Sequence, residues 1–308
     1  MERKEKKYSG IIVPMITPFT EDGKVDEESA EKIINNFIHN GSEVLLFGTT
    51  GETASIPQAV KTKYVETVTK KFKGRTKIYT AISDNCFEDA VNAANTYFDL
   101  GVEAVVVLLP GYYPITPDQM LAYYEKFVES INGPMFLYNI PATTHLSIPI
   151  DVIEKLSHHE RIIGVKDSER DYQRLEDAHR LWKDREDFSH FIGWGAQCFN
   201  GMWLGSDGIV PSTGNFDLSC YKKMYDAVLN GDKETGEKMQ QVSMEISEVY
   251  QKDKILSQSL PALKVMMNEA GLCGTKILTP FTQLPENVEE NIRSKTRDLV
   301  KKYNLTWI

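Results

Sequence analysis

The sequence predicts an α/β fold, a (β/α)8 barrel with a C-terminal helical extension. Three observations carry that prediction. First, eight short apolar runs are rich in Val and Ile and do not alternate with polar residues. They begin at residues 10, 43, 77, 104, 134, 161, 190 and 207. Strands buried on both faces look like this, and parallel sheets sheathed by helices are built from them. Second, successive starts lie 27 to 34 residues apart up to the seventh, the room that a strand and its returning helix need. Third, the strand signal stops after Asn230, and only helical patterns follow. An open doubly wound sheet is the alternative, but no GxGxxG loop follows the first run.

The elements follow in order. The expected strands are 10–17 (GIIVPMIT), 43–48 (EVLLFG), 77–82 (KIYTAI) and 104–110 (AVVVLLP), then 134–139 (PMFLYN), 161–166 (RIIGVK), 190–195 (HFIGWG) and 207–212 (DGIVPS). Between the first two, residues 27–39 place Ala30, Ile33, Ile34 and Phe37 at helical spacing. Residues 87–100 repeat the pattern with Ala90, Val91, Ala94, Tyr97 and Phe98. The last interval, from 190 to 207, leaves space for only a short helix near 197–204. The barrel is expected within residues 1–230 and the extension within 231–308. Helices are expected there over 233–250, 261–271 and 286–302, with Gly231-Asp232 as a turn. Pro261 suits the first turn of the second of these helices, and Gly271 its C-terminal cap.

Composition narrows the function. Of 308 residues, 41% are hydrophobic and 26% charged, a globular balance that excludes disordered and collagen-like chains. The net charge of −9 argues against nucleic acid or an anionic membrane as partner. No apolar run reaches the 18 or so residues that span a bilayer, and the charged N-terminal MERKEKKYSG lacks the apolar stretch of a signal peptide. Cys86, Cys198, Cys220 and Cys273 are scattered, which suits a reduced cytoplasmic setting. The six histidines form no HExxH or HxH pattern, so no metal site is expected.

In barrel enzymes the reacting groups lie at the C-terminal ends of the strands. The second run ends in Gly48-Thr49-Thr50-Gly51-Glu52, where hydroxyls and backbone N–H groups can hold an anion such as a carboxylate. A tight turn with a Thr cap is the ordinary alternative. The fifth run ends in Tyr138-Asn139-Ile140-Pro141, whose phenol can relay a proton or simply pack in the core. The sixth ends in Gly164-Val165-Lys166-Asp167-Ser168. Lysine is seldom buried. At the end of an apolar strand, desolvation disfavours the ammonium form, and a neutral amine attacks ketones to give a Schiff base. The alternative is a lysine whose amine reaches solvent. Tyr112-Tyr113 after the fourth run can be interface residues or supply a second phenol, and Ser212-Thr213-Gly214-Asn215 forms another small-residue turn after the eighth. Together these place Thr, Tyr and Lys at one end of one barrel.

In this order the motifs resemble the dihydrodipicolinate synthase / N-acetylneuraminate lyase family of class I aldolases. The resemblance runs from Gly10-Ile11-Ile12-Val13-Pro14, through Gly48-Thr49-Thr50-Gly51-Glu52 and the Tyr138 and Lys166 motifs, to Pro261-Ala262-Leu263-Lys264. It implies that Lys166 forms the Schiff base with pyruvate or another 2-oxo acid and that Tyr138 shuttles protons. Thr49 and Thr50 match the positions that hold the carboxylate and relay protons. A tyrosine of the Tyr112-Tyr113 pair matches one lent to a neighbouring subunit. It also implies a homotetramer of two tight dimers with no metal or organic cofactor. Three departures bear on substrate. Synthases carry an Arg where this chain has Thr143, and His145 stands where Gly is usual. N-acetylneuraminate lyases carry Asp-Glu where this chain reads Gly193-Trp194-Gly195-Ala196. The loop of residues 110–117, Lys166-Asp167-Ser168 and Ser212-Thr213-Gly214-Asn215-Phe216 resemble the 2-keto-3-deoxy-sugar-acid aldolases. The expected reaction is therefore cleavage of such a sugar acid to pyruvate and an aldehyde. Dihydrodipicolinate synthesis, N-acetylneuraminate cleavage and non-enzymatic 2-oxo-acid binding are the alternatives. A phosphate-binding isomerase fits less well, because Gly205-Ser206-Asp207-Gly208 precedes the eighth run rather than following it.

Overall fold

Eight parallel strands close on themselves in sequence order, with β8 returning to β1. The computed structural model describes residues 6–307, so half of the charged N-terminal stretch lies outside the described residues. The strands are β1 (Gly10–Pro14), β2 (Glu43–Leu46), β3 (Ile78–Ile82), β4 (Ala104–Leu108), β5 (Met135–Asn139), β6 (Ile162–Asp167), β7 (Ser189–Ile192) and β8 (Gly208–Ile209). The barrel helices are α1 (Glu27–His39), α2 (Gln58–Phe72), α3 (Phe87–Asp99), α4 (Pro117–Ser130), the single turn α5 (Pro141–Thr144), α6 (Ile150–Leu156), α7 (Tyr172–Trp182), α8 (Cys198–Leu204) and α9 (Ser219–Leu229). Helices α10 (Lys233–Gln251), α11 (Leu256–Glu269) and α12 (Glu286–Tyr303) form the extension.

Local chemistry explains the helix starts. Asp26, Asp171 and Asp232 accept backbone N–H groups at the heads of α1, α7 and α10. Thr116 and Gln119 form a reciprocal capping box on α4, with Pro117 in its first turn. Gly271 follows α11 with φ +68, the left-handed conformation expected of a residue just past a helix end.

Several expectations are corrected. Pro261 does not open its helix. α11 begins at Leu256, where the Gln258 side chain accepts the Ile255 N–H, and Pro261 lies in the interior, buried. It cannot donate to the Ser257 carbonyl. The second strand stops at Leu46 because Phe47 turns to φ +56. The seventh strand ends at Ile192, which leaves Gly193-Trp194-Gly195 in the following loop. The eighth is only two residues long; Val210 still donates to Ile192, but Pro211 has no N–H to continue the ladder.

Two apolar layers result. Inside the barrel, Ile12, Leu45, Tyr79, Val106, Phe136 and Phe191 pack with Tyr8, which lies at the N-terminal end of the barrel. Gly164 is required there, since a Cβ would lie 2.3 Å from the Ser189 carbonyl and 2.6 Å from the Phe136 ring. A larger layer fills the space between strands and helices. At the N-terminal end of the barrel, the buried Lys6 amine donates to the carbonyls of Trp182 and Phe188 and to Asp207 Oδ2, at 3.0, 2.8 and 2.9 Å. No helix among the described residues is long and apolar enough to cross a membrane.

Candidate active site at the C-terminal ends of the strands

Tyr138 and Lys166 are register partners on β5 and β6. They are 3% and 5% exposed. Tyr138 belongs to the cluster inside the barrel, and residues paired across neighbouring parallel strands share a face. The Lys166 amine lies 3.9 Å from the centre of the Tyr138 ring. A nucleophilic amine and a phenol therefore meet in a nearly dry interior, at the end of the barrel opposite Tyr8.

The β2 turn lies at the same end. Gly48 leads into a tight turn over Thr49–Gly51, and Thr50 is buried while Thr49 is half-buried. Phe47, just before it, is a bulky residue at φ +56, wholly buried against Tyr64 and Tyr97. Packing thus holds a strained backbone where the candidate carboxylate-binding turn begins. The turn is pinned from the segment just after β1, because Thr17 Oγ1 donates to the Gly51 carbonyl at 2.8 Å. Asn215 ties β1 to the β8 turn by accepting the Ile16 N–H at 2.9 Å and donating to the carbonyls of Pro14 and Ser212 at 2.9 and 2.8 Å.

Glu52 carries the next constraint. It is buried at φ +59 and forms an ion pair with Lys264 of α11, which is equally buried. Glu52 Oε2 also accepts the Leu278 N–H at 3.1 Å, and Lys264 donates to the Lys276 carbonyl at 2.8 Å. Desolvation pushes the Glu52 carboxyl up and the Lys264 amine down, each shift opposed by the partner's charge. The extension thus reaches the threonine turn. It also reaches β8, where the Tyr250 hydroxyl of α10 lies 2.8 Å from Ser212 Oγ and 2.9 Å from Thr213 Oγ1. The Ser212 hydroxyl is therefore engaged by the extension.

An open cleft gathers Thr49, Tyr112 and Thr143 with Lys61, Asp84 and His145. Tyr112 and Tyr113 stack edge to face, 4.8 Å apart, and remain 74% and 70% exposed. Thr143 closes the α5 turn, its N–H donating to the Ile140 carbonyl at 3.1 Å. His145 ends that turn at φ +58, a conformation glycine adopts freely. Lys61 donates weakly to the Thr53 carbonyl at 3.4 Å, and burial lowers its pKa. No arginine among the described residues lines this cleft.

Behind Tyr138 and Lys166 lies a polar cluster that the sequence reading did not single out. Asn139 Nδ2 donates to Asp167 Oδ1 and Glu169 Oε2 at 2.9 and 2.8 Å, and Arg174 Nε donates to Asp167 Oδ2 at 2.6 Å. The left-handed backbone of Phe47 and the reach of Tyr250 to Ser212 and Thr213 likewise have no signal in the sequence. Lys264 did carry a signal, as a lone cation in the otherwise apolar stretch PALKVMM.

Comparison with known proteins places this chain among relatives. Residues 7–302 match the model of the dihydrodipicolinate synthetase family. The chain is 28% identical over 283 residues to the 4-hydroxy-tetrahydrodipicolinate synthase of Methanothermobacter thermautotrophicus, covering 89% of this chain and 98% of that one. It is 31% identical over 224 residues to the enzyme of that name from Shewanella pealeana, covering 72% and 76%. The structure of dihydrodipicolinate synthase from Bacteroides thetaiotaomicron superposes with a TM-score of 0.90 at 27% identity, covering 96% of this chain and all of that one.

Proposed function

The chain belongs to the dihydrodipicolinate synthetase family, and from that membership we propose that it is a class I aldolase that reversibly cleaves a 2-keto-3-deoxy sugar acid to pyruvate and an aldehyde. Lys166 attacks the 2-oxo carbon, water leaves, and the resulting iminium accepts the electron pair of the breaking C3–C4 bond. Tyr138 takes the proton from the C4 hydroxyl as the aldehyde forms, with Thr49 relaying it. Thr50 and the Gly48 turn hold the pyruvate carboxylate. The enamine is then protonated at C3, and hydrolysis frees pyruvate and the lysine. A tyrosine of the exposed Tyr112-Tyr113 pair completes the site of a neighbouring subunit in a homotetramer.

The observation that carries the substrate reading is Thr143 in a cleft that no arginine among the described residues lines. A synthase must hold the carboxylate of aspartate semialdehyde. The loss of a charge-assisted contact costs roughly 1.5–3 kcal/mol, one to two powers of ten in specificity, whereas a neutral aldehyde such as glyceraldehyde loses nothing. The names of the relatives favour a second reading, dihydrodipicolinate synthesis. One side-by-side assay separates the two, with 2-keto-3-deoxygluconate against pyruvate plus aspartate semialdehyde. Faster cleavage of the sugar acid is the expected result, and a semialdehyde reaction about tenfold more efficient replaces this reading with the second.

A further inference from the structure

The strand register that pairs Tyr138 with Lys166 also pairs the next residues, Asn139 with Asp167. Side chains alternate along a strand, so this second pair projects out of the barrel toward α7. Asn139 is wholly buried and uses its entire amide. Its Nδ2 donates to Asp167 and Glu169, and its Oδ1 accepts the Ile148 N–H at 3.0 Å. Asp167 is bound on its other oxygen by Arg174 of α7, which is itself 9% exposed, and it also accepts the Glu169 N–H at 3.0 Å. Ser147 Oγ donates to Glu169 at 2.6 Å. The cluster therefore joins the end of β5, the end of β6 and the loop of residues 140–148 that carries Thr143.

Stability alone does not account for such a cluster. A dehydrated carboxylate and guanidinium recover little more than the cost of leaving water, and apolar residues of the same volume hold strands together as well. Arg174 bears an additional cost, because its buried Nη2 has no hydrogen-bond partner among the described residues. What directed hydrogen bonds add is a fixed geometry, and here it is fixed one residue beyond the reacting pair. Resting on the reading that Lys166 forms the imine, we propose that Asn139, Asp167 and Arg174 are positioning residues. They set the approach of the Lys166 amine to the Tyr138 phenol and lock that pair to the loop facing the aldehyde.

The test needs no aldehyde. In heavy water, pyruvate bound as the iminium loses a C3 proton to Tyr138. The C–H electron pair becomes the C2–C3 double bond of the enamine, and a solvent deuteron returns to C3, so NMR of the pyruvate methyl group follows the cycle. Asn139→Ala and Arg174→Met, shown folded by circular dichroism, are expected to lose about a hundredfold in the kcat of exchange while KM for pyruvate stays within about threefold. Arg174→Lys, which keeps the charge, is expected to recover about tenfold over Arg174→Met. If Arg174→Met does not fold, Asn139→Ser and Arg174→Lys carry the same kcat-against-KM comparison. Exchange at the wild-type rate in folded variants, or a loss confined to KM, overturns the proposal. A wild-type protein that exchanges no methyl protons overturns the underlying imine reading instead.

Discussion

In the proposed mechanism Lys166 carries the imine, and its replacement is the most direct test. Lys166→Ala is expected to keep the fold and lose turnover altogether, and mass spectrometry after pyruvate and borohydride is expected to show added mass on the wild-type Lys166 peptide only. Full activity in the variant ends the Schiff-base mechanism. Phe47 and His145 both sit in the left-handed region, which costs roughly 1–2 kcal/mol for a side-chain-bearing residue, yet glycine is expected to act oppositely at the two sites. His145 is exposed and has little packing to lose, so His145→Gly stabilises by up to about 1 kcal/mol. Phe47 is buried against two tyrosine rings, and losing a buried phenylalanine costs about 3–5 kcal/mol. Phe47→Gly therefore destabilises by a net 2 kcal/mol or so. Urea melts of the two variants check both signs. His190 adds a pH dependence. Burial lowers its pKa to about 4, with Asp167 opposing and Arg174, Lys6 and His179 reinforcing the shift. The folded state keeps the ring neutral below the unfolded value of about 6.5, so the stability it contributes is lost as pH falls from 6.5 toward 4. Between pH 7 and 5 the loss is about 2 kcal/mol, and it is expected to shrink in His190→Gln.

At the scale of elements, the extension behaves as a frame for two site turns. Its α11 holds the β2 turn through Lys264–Glu52, and its α10 holds the β8 turn through Tyr250. Removing one charge of a buried pair strands the other, at about 3–5 kcal/mol. Removing both charges costs far less. Lys264→Met is therefore expected to destabilise strongly and Glu52→Gln/Lys264→Met to recover most of that loss, as chemical denaturation of the three proteins will show. Equal losses in the single and double variants reject the pair as the cause.

For the whole molecule, two adjacent tyrosines left 70% or more exposed at the barrel mouth are a costly surface for an isolated chain. A tetramer that covers them is expected to scatter light at about four times the 35.0 kDa chain mass. Replacing both tyrosines by Ser is expected to lower that mass and the activity together. A wild-type particle at the single-chain mass contradicts the assembly.

The barrel was legible because its cause is local. Strands buried on both faces must be apolar throughout, and returning helices must repeat their apolar positions, so runs such as AVVVLLP and the spacing of Ala30, Ile33, Ile34 and Phe37 announce themselves. Thr49, Tyr138 and Lys166 were legible for a related reason: each stands where an apolar run ends, and in a parallel barrel all such ends face one way. What the tertiary structure alone decided depends on pairs of residues remote in the chain. Glu52 reads as one more acid until Lys264 is seen buried against it, Asn139 as the last residue of a strand until Asp167 and Arg174 surround it. Phe47 gives no sign of its left-handed backbone, because the packing of Tyr64 and Tyr97 that offsets the strain belongs to other elements. Periodicity records which face of an element is buried; it does not record what lies on the other side of that face.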